Sequence, residues 1–195
     1  LGRLAGRGAP VVPTRYVERI SDAALHEAAD AFGTDALIAK PQVSASAWQT
    51  IRWSPGAARD GGPDGAAMIQ PFLPAILSEG EISLIYIAGA FTHAIRKRPQ
   101  PGDFRVQPEF DSIITPHAPA PDELAAAQAI LAAVDEALLY ARIDVARDAA
   151  GRVLLMELEL VEPDLYLQHD AESGAAFADA VARAARLPFA TAEAQ

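Results

Sequence analysis

The residues with the clearest chemical potential are Arg142, Asp144, Glu157 and Glu159, carried on two stretches that alternate polar and apolar positions between 139 and 161. On an extended strand, successive side chains point to opposite faces. Tyr140, Arg142 and Asp144 therefore share one face, opposite Ala141, Ile143 and Val145. In the second arm Leu155, Glu157 and Glu159 share a face, opposite Met156, Leu158 and Leu160. The segment DAAG (148–151) supplies a turn, and a two-residue loop there pairs Asp148 with Gly151 and so Arg142 with Glu157, with Asp144 diagonally beside them. Three carboxylates and one guanidinium then converge on one patch of sheet. Carboxylates this close repel, and each raises its neighbour's pKa. A hard divalent cation removes the conflict, because magnesium prefers carboxylate oxygens and keeps positions open for phosphate. Pattern alone equally admits a solvated polar face on which Arg142 simply pairs Glu157, and both readings stay open at this level.

The elements that must position these residues follow from periodicity and turn signals. Residues 1–14 read as the end of a helix and a short strand, PVVPT, a remnant of a preceding domain or a linker. Residues 21–33 predict a helix with Ser21 or Asp22 as its cap, Leu25, Ala28 and Phe32 on one face, and Gly33 as its stop. Strands follow at 35–41 and 48–53, separated by the small-residue stretch QVSASA, and 54–65 is a Gly/Pro-rich loop. Residues 66–73 read as a strand running into a linker, and 81–99 as a hairpin turning near Gly89, with Lys97 on the face of Phe91, His93 and Ile95. Residues 121–138 predict the clearest helix, with Pro121 at its start and acids in its first turn. The hairpin 139–161 comes next, then a helix at about 172–187, and a tail at 188–195. Trp48 and Trp53 read as packing residues. The sum is an α+β chain with mostly antiparallel strands.

Composition bounds the partners. The 195 residues are 51% hydrophobic and 22% charged, which describes a folded chain rather than a disordered one. A net charge of −10 makes nucleic acid a poor partner, since phosphates require a basic surface. The absence of cysteine removes disulfides, thiolate nucleophiles and the usual structural zinc sites. No apolar run approaches the roughly 20 residues that span a bilayer, so no membrane partner is expected. With no signal-peptide layout and no initiator Met, the expectation is a cytoplasmic protein represented by a fragment.

The ordered set of motifs resembles the ATP-grasp superfamily, in its glutathione-synthetase-like and ribosomal-protein glutamate ligase-like branch. The family ends on Arg-x-Asp, then about a dozen residues later Glu-x-Asn; here ARIDV supplies Arg142 and Asp144, and MELEL supplies Glu157 and Glu159. Glu159 stands where the family has Asn, which keeps an oxygen but adds a charge. LIAKP resembles the strand with the nucleotide-binding lysine, giving Lys40. MIQPFL resembles the adenine-contacting segment, giving Gln70 and the backbone near Phe72 and Leu73. EISLIYIAG resembles the strand whose acid holds the ribose hydroxyls, giving Glu81, and HAIRKRP puts Lys97 where the family keeps a basic residue on the transferred phosphate. Similarity runs from about residue 9 to 187. The run from QPFL to VEPDL looks closer to a bacterial branch that includes an enzyme closing the D-cycloserine ring.

The resemblance implies an ATP-grasp fold of two α/β lobes clasping a nucleotide, a small one over 15–72 and a large one over 73–187. It implies an ATP-dependent carboxylate–amine ligase that uses magnesium, or manganese in its place, and passes through an acylphosphate. Lys40, Gln70, Phe72, Leu73, Glu81 and Lys97 are the expected nucleotide contacts. Asp144, Glu157 and Glu159 are the expected metal ligands, and Arg142 and Lys97 the catalytic cations. The partners implied are a small-molecule carboxylate and an amine, and a homo-oligomer is left open. Two departures stand out. The family's Gly-rich phosphate flap is QVSASA here, and the N-terminal substrate domain is missing. Both keep a second reading open, a nucleotide-binding module without ligase activity. Residue by residue, Lys40 could also be a strand-end surface lysine, Lys97 could snorkel from a packed sheet, and His93 reads as a satisfied strand residue. Arg105 could hold a carboxylate or lie on the surface.

Overall fold

A computed structural model describes residues 1–169 and 172–186; the expected tail at 188–195 lies outside the described residues. The helices are α1 (Gly2–Ala5), α2 (Asp22–Phe32), α3 (Ala75–Ser78), α4 (Pro121–Ala132) and α5 (Ser173–Ala184). Strands β1 (Arg15–Val17), β2 (Leu37–Pro41), β3 (Ile51–Trp53) and β4 (Ala67–Pro71) form one sheet in the order β1-β4-β2-β3. Strands β5 (Glu81–Ile87), β6 (Ala90–Arg98), β7 (Ile113–His117), β8 (Tyr140–Arg147) and β9 (Val153–Glu159) form a second, in the order β7-β6-β5-β8-β9. All pairings between named strands are antiparallel. The α+β class is as the sequence predicts. No described helix is long and apolar enough to cross a membrane.

Period-two alternation decides what each sheet offers. In the four-stranded sheet Leu37, Ala39 and Ile69 turn to α2 and pack with Leu25, Ala28 and Ala29. Their neighbours Ile38, Lys40, Met68 and Gln70 therefore face the other way. Helix α2 starts at Ser21, whose Oγ accepts from the Ala24 N–H at 3.1 Å, and ends at Gly33 in the left-handed region. Phe32, expected on its buried face, is only half-buried, and Ala29 takes the inner position.

In the five-stranded sheet the face under α4 has an apolar centre, flanked by Arg96 and Arg147. Ile82, Leu84, Tyr86, Ala94, Ile143, Val145 and Leu155 pack there under Ala127 and Ile130 of α4. The opposite face has apolar ends and a polar middle. Ala146, Leu154 and Met156 pack at one end with Leu73 and Ile76, and Ile85, Ile87 and Ile95 pack at the other with Leu165 and Ala180. Between them lie Glu81, Ser83, Lys97, Arg142 and Asp144, all 9% exposed or less.

Several boundaries differ from the sequence reading. The predicted strand at 10–14 is a single parallel bridge, Val11 to Leu155, with the Val12 N–H donating to Leu155 O and the Leu155 N–H to Pro10 O. The strand lies further on, at β1. Helix α4 stops at Ala132 rather than 138; just beyond it the Ala133 carbonyl accepts from Arg7, and Asp135 pairs with the same arginine. Strand β7 was not foreseen. Trp53 is buried as expected, whereas Trp48 is 60% exposed. A bulge at Thr92 turns Phe91 away from Lys97's face to meet Tyr86, with ring centroids 5.7 Å apart.

Lys97 depends on a close backbone approach. Gly80, at φ +93°, leads from α3 into β5, and a Cβ on it would lie 2.5 Å from the Lys97 carbonyl oxygen. Gly80→Ala should cost about 2–4 kcal/mol through strain and overlap. Chemical denaturation should show the midpoint fall with the slope unchanged.

Candidate functional site

The β8–β9 hairpin builds the centre of the site, in a register the sequence reading missed. Asp144 lies opposite Glu157 and Arg142 opposite Glu159, whereas Val145 pairs with Leu155, leaving Met156 as an extra residue. Two one-residue changes account for this. The turn is longer than two residues, with Asp148 N–H donating to Arg152 O, and the bulge adds one residue to β9. Each change alone would send the acids of β9 to the α4 face, and together they return them to the side of Arg142 and Asp144. The same bulge corrects the expectation for Leu155, which joins Leu158 and Leu160 against α4 while Met156 turns to the opposite face.

The side chains form a nearly continuous chain of charge. Arg142 donates through Nε and Nη2 to Asp144 Oδ2 at 3.1 and 3.0 Å, and through Nη2 to Glu159 Oε1. Its Nη1 donates to the Asp164 carbonyl at 3.2 Å. Asp144 also accepts from Ser83 Oγ and lies 3.4 Å from Lys97 Nζ, which pairs in turn with Glu81. From the other sheet, Lys40 Nζ reaches Glu157 Oε1 at 2.8 Å. Carboxylate oxygens of Asp144, Glu157 and Glu159 lie within 4.8 Å of one another.

Burial and neighbours set the protonation of this chain. Burial would raise Asp144, yet Lys97, Arg142 and the Ser83 hydroxyl outweigh it and hold that carboxyl below its ordinary value. Glu81 shares a single cation; burial dominates there and raises its pKa against the pull of Lys97. Burial also raises Glu159, opposed by Arg142 and reinforced by Asp144 and Glu157. For Lys97, burial works against the charge, but Asp144 and Glu81 prevail and keep the ammonium above its usual range. Arg142 follows the same pattern with Asp144 and Glu159.

These groups line a cleft of about 810 Å³ between the two sheets. Lys40, Gln70, Phe72, Glu81, Lys97, Arg142, Glu157 and Glu159 contribute to it; Asp144 lies beneath, 1% exposed, and Leu73 turns its side chain into the cluster with Val12 and Ile76. Ile38, Met68, Phe72, Ile76 and Met156 give one end apolar walls. Gln70 Nε2 donates to Thr14 Oγ1 at 3.0 Å, while its buried Oε1 meets no partner among the described residues. Phe72 packs edge-on to Phe104 and carries the Arg52 guanidinium 4.1 Å above its ring. The stretch QVSASA lies at the mouth, where Ser46 Oγ donates to Glu109 at 2.7 Å. Arg105 lines the cleft paired to Asp103 and stacked 3.6 Å over Phe110. His93 is satisfied by the Leu165 carbonyl at 2.9 Å and takes no part.

Sequence reasoning missed Ser83, Asp164 and Tyr166. Ser83 carried a signal, as a polar residue in step with Glu81 inside an apolar strand. Asp164 and Tyr166, the latter 4% exposed with Arg142 5.7 Å from its ring, come from an irregular segment with no periodicity to read.

No protein-family model matches the chain. It is 28% identical over 206 residues to the cycloserine biosynthesis protein DcsG of Streptomyces lavendulae, covering 93% of this chain and 67% of that protein. The crystal structure of the D-cycloserine synthetase DcsG superimposes with a TM-score of 0.79 at 26% identity, over 94% of this chain and 68% of that one. The ATP-grasp ligase PsnB, complexed with a phosphomimetic variant of its minimal precursor, Mg and ADP, gives 0.63 at 17% identity, over 94% and 57%. D-alanine–D-alanine ligase from Bacillus anthracis, complexed with ATP, gives 0.61 at 16%, over 93% and 62%. The last two likenesses concern the fold alone.

Lys97 is the cation that two buried acids share. Lys97→Met leaves Glu81 and Asp144 short of a partner and should destabilise the protein by about 3–5 kcal/mol. Adding Glu81→Gln should recover part of that loss, as read by denaturant titration of the single and double variants.

Proposed function

Because the chain belongs to the ATP-grasp superfamily by sequence and by fold, we propose that it is an ATP-dependent ligase joining a carboxylate to an amine through an acylphosphate. The observation that carries this reading is the cleft itself. Its walls and the layer just beneath them bring together Lys40, Lys97, Arg142 and three clustered carboxylates beside an apolar end. That combination suits a nucleotide with its triphosphate directed at the charges. In this reading the small lobe is 15–72 and the large lobe 73–187, with 1–14 preceding them. The volume lies within the range usual for small-molecule sites.

The donor set fits a magnesium ion. Its candidate ligands are carboxylates, whose oxygens such an ion prefers, and Asp144 remains ionised despite complete burial. Asp144 and Glu157, on facing positions of β8 and β9, would hold it. When bound, it would neutralise phosphate charge and orient the terminal phosphoryl group. Manganese, of similar chemistry, is an alternative ion.

The chain's own residues do the rest. Lys40 and Lys97 neutralise phosphate oxygens from opposite walls, and Glu81 accepts from the ribose hydroxyls. Gln70, together with the backbone at Phe72 and Leu73, contacts the adenine, and the free Gln70 Oε1 offers an acceptor there. A substrate carboxylate takes the terminal phosphoryl group, and an amine then displaces phosphate. Arg142 stabilises the charge that develops. Positioning and electrostatics supply the catalysis, so no side-chain nucleophile is needed. Small-molecule acids and amines as partners, and a cytoplasmic setting, belong to the same proposal.

The apo ion pair between Lys40 and Glu157 must open as both groups take up new partners. Mg-ATP should raise the melting temperature by linkage, by about 2.7 kcal/mol of stabilisation at a hundred times its Kd. Asp144→Asn and Glu157→Gln should abolish that shift, along with ATP consumption, while leaving the circular dichroism spectrum intact. Full retention of both activities would remove the metal assignment.

A further inference from the structure

Resting on the reading above, we propose that Glu159 is a positioning residue for Arg142 and not a ligand of the cation. The register divides the acids of β9 between two rungs. Glu157 lies opposite Asp144, and Glu159 lies opposite Arg142. The contacts follow that division. Glu157 accepts from Lys40 across the cleft and makes no ion pair with Arg142, whereas Glu159, among the described residues, pairs only with Arg142.

Arg142 is held at all three nitrogens. A guanidinium has five N–H donors, and four are engaged: two by Asp144 Oδ2, one by Glu159 and one by the Asp164 carbonyl. Among the described residues one Nη1 donor meets no acceptor, on a side chain that lines the cleft. A cation drawing on the oxygens of Asp144 would weaken Arg142's hold on that residue. Glu159 and the Asp164 carbonyl still fix it at Nη2 and Nη1, so the open donor keeps its direction. This gives a physical reason for a carboxylate at 159, where the family pattern has Asn. An amide accepts a hydrogen bond but does not neutralise a guanidinium that is 8% exposed. Charge at 159 therefore serves the arginine.

Glu159→Gln keeps the shape and removes the charge, and Glu159→Asn installs the family's residue. Calorimetry with Mg2+ and ADP should give an Mg2+ affinity within about twofold of wild type in both. The extra tightness conferred by aluminium fluoride, which mimics the transferring phosphoryl group with ADP, should fall by about tenfold or more, since one oriented charge is lost from the transition-state set. A tenfold loss of Mg2+ affinity, or unchanged tightening by aluminium fluoride, would overturn the proposal. In nucleotide-free protein, the Nη resonances of Arg142 should show hindered rotation in the wild type and freer rotation in Glu159→Gln; identical spectra also overturn it. That last measurement involves no nucleotide, so its outcome separates failure of the clamp from failure of the ligase reading. Melting curves of both variants exclude unfolding as the cause.

Discussion

The structure is organised around a repulsion. Four acids, Glu81, Asp144, Glu157 and Glu159, are drawn to one patch between two sheets, and an isolated buried carboxylate costs several kcal/mol. Three cations from three strands offset that cost: Lys40 from β2, Lys97 from β6 and Arg142 from β8. None of these cations is local in sequence to all the acids it serves. The arrangement therefore exists only when both sheets are formed and in register, and it couples the chemistry of the cleft to the completeness of the fold.

The surrounding packing makes the repulsion tolerable. The site face of the larger sheet is apolar at both ends, under α3 on one side and α5 on the other, and polar only between them. Low exposure at the middle strengthens every attraction there as much as every repulsion. The outcome depends on counting partners. Asp144, touched by Lys97, Arg142 and Ser83, stays easily ionised, while Glu81, with one shared lysine, does not. Two acids on neighbouring strands thus acquire different tendencies from their neighbours alone.

Much of this was legible before any coordinates. The alternation in ARIDV and MELEL put Arg142, Asp144, Glu157 and Glu159 on a common face, and the structure agrees. The register by which they meet was not legible, because a longer turn and a bulge each add a residue that no pattern announces. Their effects on facing cancel, so the grouping survived an incorrect alignment of strands. Lys40 and Gln70 were reached only through the resemblance of LIAKP and MIQPFL to family segments, and both line the cleft. Strand β7, the early end of α4 and the exposure of Trp48 escaped; β7 pairs with β6 and the chain after α4 meets Arg7, partners distant in sequence that no local pattern announces. Tyr166 and Asp164 lie in irregular chain, where only three dimensions reveal that they frame the guanidinium.

Residues 10–12 form only an isolated bridge to β9, yet they lie along the outer edge of the larger sheet, exchanging backbone hydrogen bonds with Leu155 beside the bulge. An open edge strand is a template for another chain's strand, and natural sheets avoid leaving one long and flat. Here a kinked strand carries a short cover at its bend, so a second molecule finds few consecutive free amides to pair with. The irregularity that turns the acids into the cleft thereby also shortens the open run of backbone along this edge.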